Sequence, residues 1–180
     1  SLALPKYSEV REFEGKGNYA VSRYYTFPFS LFYRHKLTMI VSLLDKGKMY
    51  RNILDFGSGK AEIFKNELKK HSSEVKCVEE RDNLDLRWKF DVVVCASVLE
   101  FVNLPICVRN LRHITSPNGM LVASSPMDTW MSRLYFKLIG DRKERHSHKE
   151  IMKEVHKHYF VVKYKEWFGL YFSFRGYPKI

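Results

Sequence analysis

In the stretch ILDFGSGKAEIF (residues 53–64), an acid and two glycines stand between a short apolar run and a helical pattern. Asp55, Gly57 and Gly59 at such a hinge mark a ligand loop. Glycine permits a sharp turn and lets a ligand approach where a Cβ would obstruct it. A helix opening near Ala61 would direct unpaired backbone N–H groups into the same space. A dinucleotide fingerprint needs a third glycine at position 62, and Glu62 stands there. That acid, like Asp55, repels a pyrophosphate. The loop therefore suits a ligand with an ammonium group and a carboxylate.

Other side chains with chemical capacity sit at the ends of apolar runs. Glu79 and Glu80 close EVKCVEE, Glu100 follows FDVVVCAS, and His146 and His148 precede a helical pattern. Each has a plainer reading: the glycines as a tight strand-to-helix turn, Glu79 or Glu80 as an exposed strand end, Glu100 as a helix cap or surface acid, the histidines as solvated or capping groups. Cys77, Cys95 and Cys107 are too few and too widely spaced for a metal cluster or a disulfide frame, so no metal is expected. Buried free thiols fit a reducing, cytoplasmic compartment.

The elements that must position these residues alternate. NILDF reads as a short buried strand, AEIFKNELKKH as a helix, EVKCVEE and FDVVVCAS as strands, and LPICVRNLRHIT as a helix. PNG then turns into the strand MLVASS. Short apolar strands alternating with helices predict a parallel sheet covered on both faces. Ser147 with Glu150 three residues on is a capping-box signature, opening a helix with Ile151, Val155 and Tyr159 on one side. FVVKYKEWF and LYFSFRG, parted near Gly169, read as an antiparallel hairpin. Upstream, Phe32, Leu37, Ile40, Val41 and Leu44 recur at helical intervals in the segment Asn18 to Gly47, with Pro28 parting it from a shorter first helix. The first 18 residues are polar and read as a loosely held arm without the apolar core of a secretory signal.

At 180 residues, 45% apolar and 15% aromatic, the chain has the makings of one globular domain rather than a disordered segment. No apolar run reaches the ~18 residues needed to cross a bilayer. A formal charge of +11 favours acidic partners: nucleic acid, anionic lipid headgroups or phosphorylated small molecules. Charge supplies attraction without specificity.

Taken together, five pieces in order resemble the class I S-adenosylmethionine-dependent methyltransferases over residues 53 to about 174. LDFGSGKA resembles the family's first motif, an acid followed by Gly-x-Gly-x-Gly/Ala. VKCVEE is similar to its second strand, FDVVVCASVLEFV to its fourth strand and following turn, SPNGMLVASSP to its fifth strand, and ERHSHKEIMKEV to the segment before the penultimate helix. The resemblance implies an α/β, three-layer Rossmann-like sandwich, mostly parallel and ending in an antiparallel C-terminal hairpin. Residues 1–47 would form an arm and helices covering the cofactor site, and residues 48–180 the methyltransferase-like domain. It further implies S-adenosyl-L-methionine as cofactor. The loop of Phe56, Gly57, Ser58 and Gly59 would run beneath its methionyl part, with Asp55 orienting the ammonium group. Glu79, with Glu80 as neighbouring candidate, would accept the ribose hydroxyls, and Ser97 and Val98 would border the sulfonium.

The chain also departs from the family. Only RDNLDLRWK separates Glu80 from Phe90, too little for the usual helix and third strand, which are therefore expected to be missing or reduced. Asp82 becomes the candidate for the acid that contacts adenine, and Trp88 fills the vacated space or covers the adenine. An uncovered sheet edge would permit a homodimer. Phe101 replaces a common histidine, leaving Glu100, His146 and His148 as weak candidates for a base. The basic and aromatic segments YAVSRYYTFPFSLFYRHK and WMSRLYFKLIG suit a lipid-like or anionic small-molecule acceptor. An RNA methyltransferase is less favoured, because CASVLEF lacks the Asp/Asn-Pro-Pro-aromatic run of exocyclic-amine enzymes. A non-catalytic cofactor-binding protein is the third reading.

Overall fold

Alternation along the central strands divides the core in two. The computed structural model describes residues 1–16 and 20–180, so Asn18 and Tyr19, where the expected N-terminal helical segment begins, lie outside the described residues. Among the described residues a six-stranded sheet runs β2-β1-β3-β4-β6-β5. Its strands are β1 (Tyr50–Phe56), β2 (Ser72–Val78), β3 (Phe90–Ala96), β4 (Thr115–Pro126), β5 (Tyr159–Trp167) and β6 (Tyr171–Pro178). The first four are mutually parallel, and β6 lies antiparallel between β4 and β5.

Because successive strand residues face opposite ways, Leu54, Val93, Cys95, Leu121 and Ala123 join one cluster while Ile53, Val92, Val94, Met120 and Val122 join the other. The first face is covered by α4 (Leu104–Ile114) and α6 (His148–His158) through Val108, Leu111, Ile151 and Val155. The second is covered by α2 (Phe29–Val41), the loop after it and the segment around Ile63 and Leu68. This is the expected three-layer sandwich. Ser147 and Glu150 exchange both bonds of the capping box at the start of α6, and Asn103 caps α4.

Between β2 and β3 the described backbone forms only turns, so the third strand and its helix are absent, as their short span predicts. Trp88 packs edge-on to Phe90, with the Lys76 ammonium 4.3 Å from its ring centre. Two readings are corrected. The N-terminal segment is not loose: α1 (Tyr7–Val10) buries Val10, Leu2 and Leu4 pack on the second cluster, and the Ala3 amide donates to Glu67. Its polar residues hid an anchor made of a few well-spaced apolar ones. The PNG sequence is not a turn ahead of the strand either. It lies inside β4, whose pairing with β3 shifts between Phe90↔Thr115 and Val92↔Met120.

A third, smaller cluster joins α2 to the hairpin and to α5 (Trp130–Leu138). Phe32 packs against Tyr135 at 4.6 Å and edge-on to Tyr171, and the His35 ring bonds the Tyr171 hydroxyl. Among the described residues no helix is long and apolar enough to cross a membrane.

Candidate active site

Strand order reverses between β1 and β3, because the chain moves outward from β1 to β2 and then the other way from β3 to β4. Open α/β sheets bind ligands at the carboxyl ends of the strands beside such a switch. Asp55 lies there in register with Cys77 of β2 and Val94 of β3. It is 2% exposed, and its Oδ2 has no hydrogen-bond partner among the described residues. Burial, with the nearby Glu62 charge adding to it, pushes the Asp55 carboxyl up to about 7. A buried carboxyl group without a partner is accommodated by a proton, a water or a cation.

The loop after Asp55 is held by its neighbour strand. The amides of Gly57 and Ser58 both donate to the Val78 carbonyl, at 2.7 and 3.1 Å. Those donors are spent within the protein, and they place Glu79, the next residue after Val78, beside the loop. Sequence reasoning reserved the space over Gly57 for a ligand, but Val98 occupies it: a Cβ on Gly57 would lie 2.9 Å from Val98 Cγ1 and closer to Cγ2. The helix expected near Ala61 is also corrected. Glu62 adopts φ 45°, a left-handed conformation that interrupts a right-handed helix, and α3 is only Lys65–Leu68. Among the described residues no helix begins directly after the loop.

The other expected residues separate into near and far. Phe56 and Val98 are buried, and Ser58 bonds back to the loop. Glu79 is half-buried and Glu80 exposed. Asp82 accepts the Glu79 amide at 2.8 Å, which makes it the brace of the turn after β2. Ser97, at φ 58°, donates its amide to the Ser124 carbonyl and so closes the end of β3 against β4. Glu100 is neither a cap nor a surface acid: it is 2% exposed, accepts Ser125 Oγ at 2.8 Å, and is raised by burial. His146 bonds the Val102 carbonyl through Nε2, and its amide donates to the Glu100 carbonyl. His148 accepts the Asp128 amide. Both histidines fasten loops.

Sequence reasoning missed Lys36. It lies on the buried side of α2, four residues after Phe32 and four before Ile40, and that interruption of an apolar stripe was the available signal. Its ammonium donates to Ser97 Oγ at 3.0 Å and lies 4.5 Å from the Tyr33 ring centre. Burial lowers it to about 8; Glu100 opposes the shift, while Arg145 and Arg23 add to it. A lysine depressed from 10.5 destabilises the fold below pH 8, and that penalty vanishes as pH rises to the unfolded value. Lys36→Met is therefore expected to raise stability at pH 7 by about 2 kcal/mol, after allowing for the lost Ser97 bond. The gain should disappear by pH 10, as measured by urea unfolding at both values.

Two cavities adjoin these residues. The smaller, about 20 Å³, is lined by Tyr24, Leu37, Asp55, Gly57, Ser58, Ile63, Phe64 and Ala96. It is room for about one water molecule. The larger, about 310 Å³, lies beyond the end of β4 between α5 and the segment from Asp141 to His146. Arg145 crosses it, ion-paired to Asp141 at 2.7 Å and stacked 3.9 Å from the Phe136 ring. Among the described residues no group of His, Cys, Asp and Glu could hold a metal ion.

No protein-family model matches the chain, and no curated protein matches it by sequence. Solved structures do match. The N-methyltransferase NodS from Bradyrhizobium japonicum WM9, in complex with S-adenosyl-L-homocysteine, is 15% identical with a TM-score of 0.68, over 96% of this chain and 97% of that one. A SAM-dependent methyltransferase from Thermotoga maritima is 16% identical with a TM-score of 0.60, over 83% and 90%. An S-adenosylmethionine-dependent methyltransferase from Mesorhizobium loti is 12% identical with a TM-score of 0.59, over 77% and 95%. At such identities the likeness is one of architecture: this chain has the fold of the class I S-adenosylmethionine-dependent methyltransferases, without the third strand.

Proposed function

We propose that the chain is an S-adenosylmethionine-dependent methyltransferase acting on a small-molecule or lipid-like acceptor. The observation that carries this reading is the orphaned, buried Asp55 carboxylate at the strand switch, an acceptor suited to an amino acid's ammonium group. Around it, the Phe56–Gly59 loop would support the methionyl part, Glu79 or Glu80 the ribose, and Ser97 and Val98 the sulfur. Asp82, whose Oδ2 accepts the Glu79 amide and so braces the turn after β2, would contact the adenine. The bound cofactor supplies an activated methyl group on a sulfonium.

The protein's part is access, alignment and proton handling. The cavity beside Asp55, about 20 Å³, is smaller than a nucleoside, so binding within it would require Tyr24, Leu37 or Phe64 to shift. Tyr24 and Leu37 belong to the N-terminal segment, which supports a covering role for residues 1–47. Methyl transfer then depends mainly on alignment, which supplies several kcal/mol. Lys36, poised at about 8 against Ser97, and the buried Glu100 are the groups available to hold or accept a proton there. The larger cavity beyond β4 would take the acceptor.

Calorimetric titration with S-adenosyl-L-homocysteine tests the reading. The folded wild-type protein should bind it, and Glu79→Ala should weaken binding by about tenfold or more, since hydrogen bonds to a charged acceptor contribute ~1.5–3 kcal/mol each. Glu79 is half-buried and makes no structural side-chain bond among the described residues, so its loss should leave the fold intact. A folded protein that binds neither homocysteine nor methionine form ends the enzyme reading.

A further inference from the structure

Helix α5 presents an unusual outer face. At 100° per residue, Trp130, Leu134 and Leu138 align on one exposed arc with Arg133 and Lys137 among them. Trp130 is 72% exposed and Leu138 76%. Ser132, Met131, Tyr135 and Phe136 turn inward, so the helix is held to the protein by its other side. The hairpin tip extends the apolar surface. Phe168 is 74% exposed, and the adjoining Gly169 carbonyl accepts the hydroxyl of Thr129, the residue that caps α5. Exposed apolar side chains in such a group mark a docking surface.

We infer that this face docks on an anionic phospholipid surface, Trp130, Leu134, Leu138 and Phe168 entering the headgroup boundary while Arg133 and Lys137 meet lipid phosphates. Charge complementarity selects the occupant. Lys137, Arg142 and Lys143 line the rim of the adjoining cavity together with Arg133, which is paired to Asp128. The chain as a whole carries +11. A second copy related by a two-fold axis would bring the same cations face to face, which opposes self-association. An anionic bilayer meets both halves of the pattern: long basic side chains keep their heads among phosphates while their stems follow the apolar stripe, and tryptophan settles at the interface. Each cation near such a surface contributes about fivefold in binding. The 310 Å³ cavity opens beside this face, at the carboxyl ends of the strands.

The inference stands apart from the methyl-transfer reading, because vesicle binding needs no cofactor. The full chain is sedimented with vesicles of phosphatidylcholine alone and with vesicles containing phosphatidylserine. Association is expected with the second, about tenfold stronger than with the first and weakened by salt. Leu134→Ser with Leu138→Ser should reduce it by about tenfold while the far-ultraviolet dichroism is unchanged, both positions being exposed. The vesicle-induced blue shift of emission should be lost in Trp130→Phe. Failure to associate with either vesicle, association indifferent to the double variant, or a wild-type dimer that the double variant dissolves would each overturn it.

Discussion

Replacing Asp55 with asparagine is expected to stabilise the protein at pH 8, to destabilise it at pH 4, and to abolish cofactor binding. The buried carboxyl is raised from 3.8 to about 7, mainly by burial and then by Glu62. A folded-state value above the unfolded one means that no penalty exists below the unfolded value. The penalty grows as pH rises and is complete once pH passes the folded value, where it amounts to roughly 4 kcal/mol. Asparagine removes that dependence but leaves buried amide hydrogens unpaired, at a cost of ~1–3 kcal/mol. The net result is a gain of about 2 kcal/mol at pH 8, or roughly 4–8 °C in Tm for a chain of this size. At pH 4 only the cost remains. Thermal unfolding at the two pH values, with a ligand titration beside it, checks both halves. An asparagine variant equally weakened at both pH values would mean that the carboxylate is not strained.

Lys36 slopes the other way, because its penalty is present below about 8 and fades above. Glu100, raised by burial, slopes with Asp55. The fold thus carries unfavourable buried charge on both sides of neutrality, where proteins are commonly most stable. A cationic ligand at Asp55 would relieve that acid, and would tie ligand binding to stability through the same side chain.

How much of this was legible in the sequence depends on range. The Ser147–Glu150 box, the hairpin around Gly169 and the absent third strand were readable because each follows from residues near one another, or from a span too short to hold an element. The position of Asp55 at the end of β1 was readable for the same reason, by its place before two glycines. What escaped depended on contacts between distant segments. Lys36 and Ser97 lie 61 positions apart and meet only after α2 packs over the sheet. Glu100 read as a helix cap, a surface acid or a weak candidate base, because nothing local shows that β4 brings Ser125 to it. The helix expected at Ala61 failed locally: its apolar spacing was right, but the left-handed Glu62 interrupts it. The N-terminal anchor was missed because Ala3 and Glu67, which bond to each other, lie 64 positions apart.

Gly57 shows most sharply how a glycine can be read correctly and its reason misplaced. Gly57→Ala is expected to cost about 3 kcal/mol, from ~1–2 kcal/mol of left-handed backbone strain and ~1–3 kcal/mol of overpacking. The strain arises because φ is 77°, and the overpacking because the new methyl meets Val98. Gly47 separates the two contributions. Its φ is 75°, nearly the same, yet among the described residues nothing lies within 4 Å of its missing Cβ. Gly47→Ala should therefore lose only the strain component in urea unfolding, and the difference between the two alanines measures contact with Val98. A double-mutant cycle sharpens the point. Val98→Ala alone removes buried packing, whereas in the Gly57→Ala background it also removes the clash, so the pair should couple by about 1–2 kcal/mol. Equal losses at positions 57 and 47, with no coupling to Val98, would return the space over Gly57 to a ligand. A larger loss at 57 means that the loops following β1 and β3 are locked together by glycine against valine, and that lock fixes the spacing between Asp55 on one side of the strand switch and Ser97 on the other.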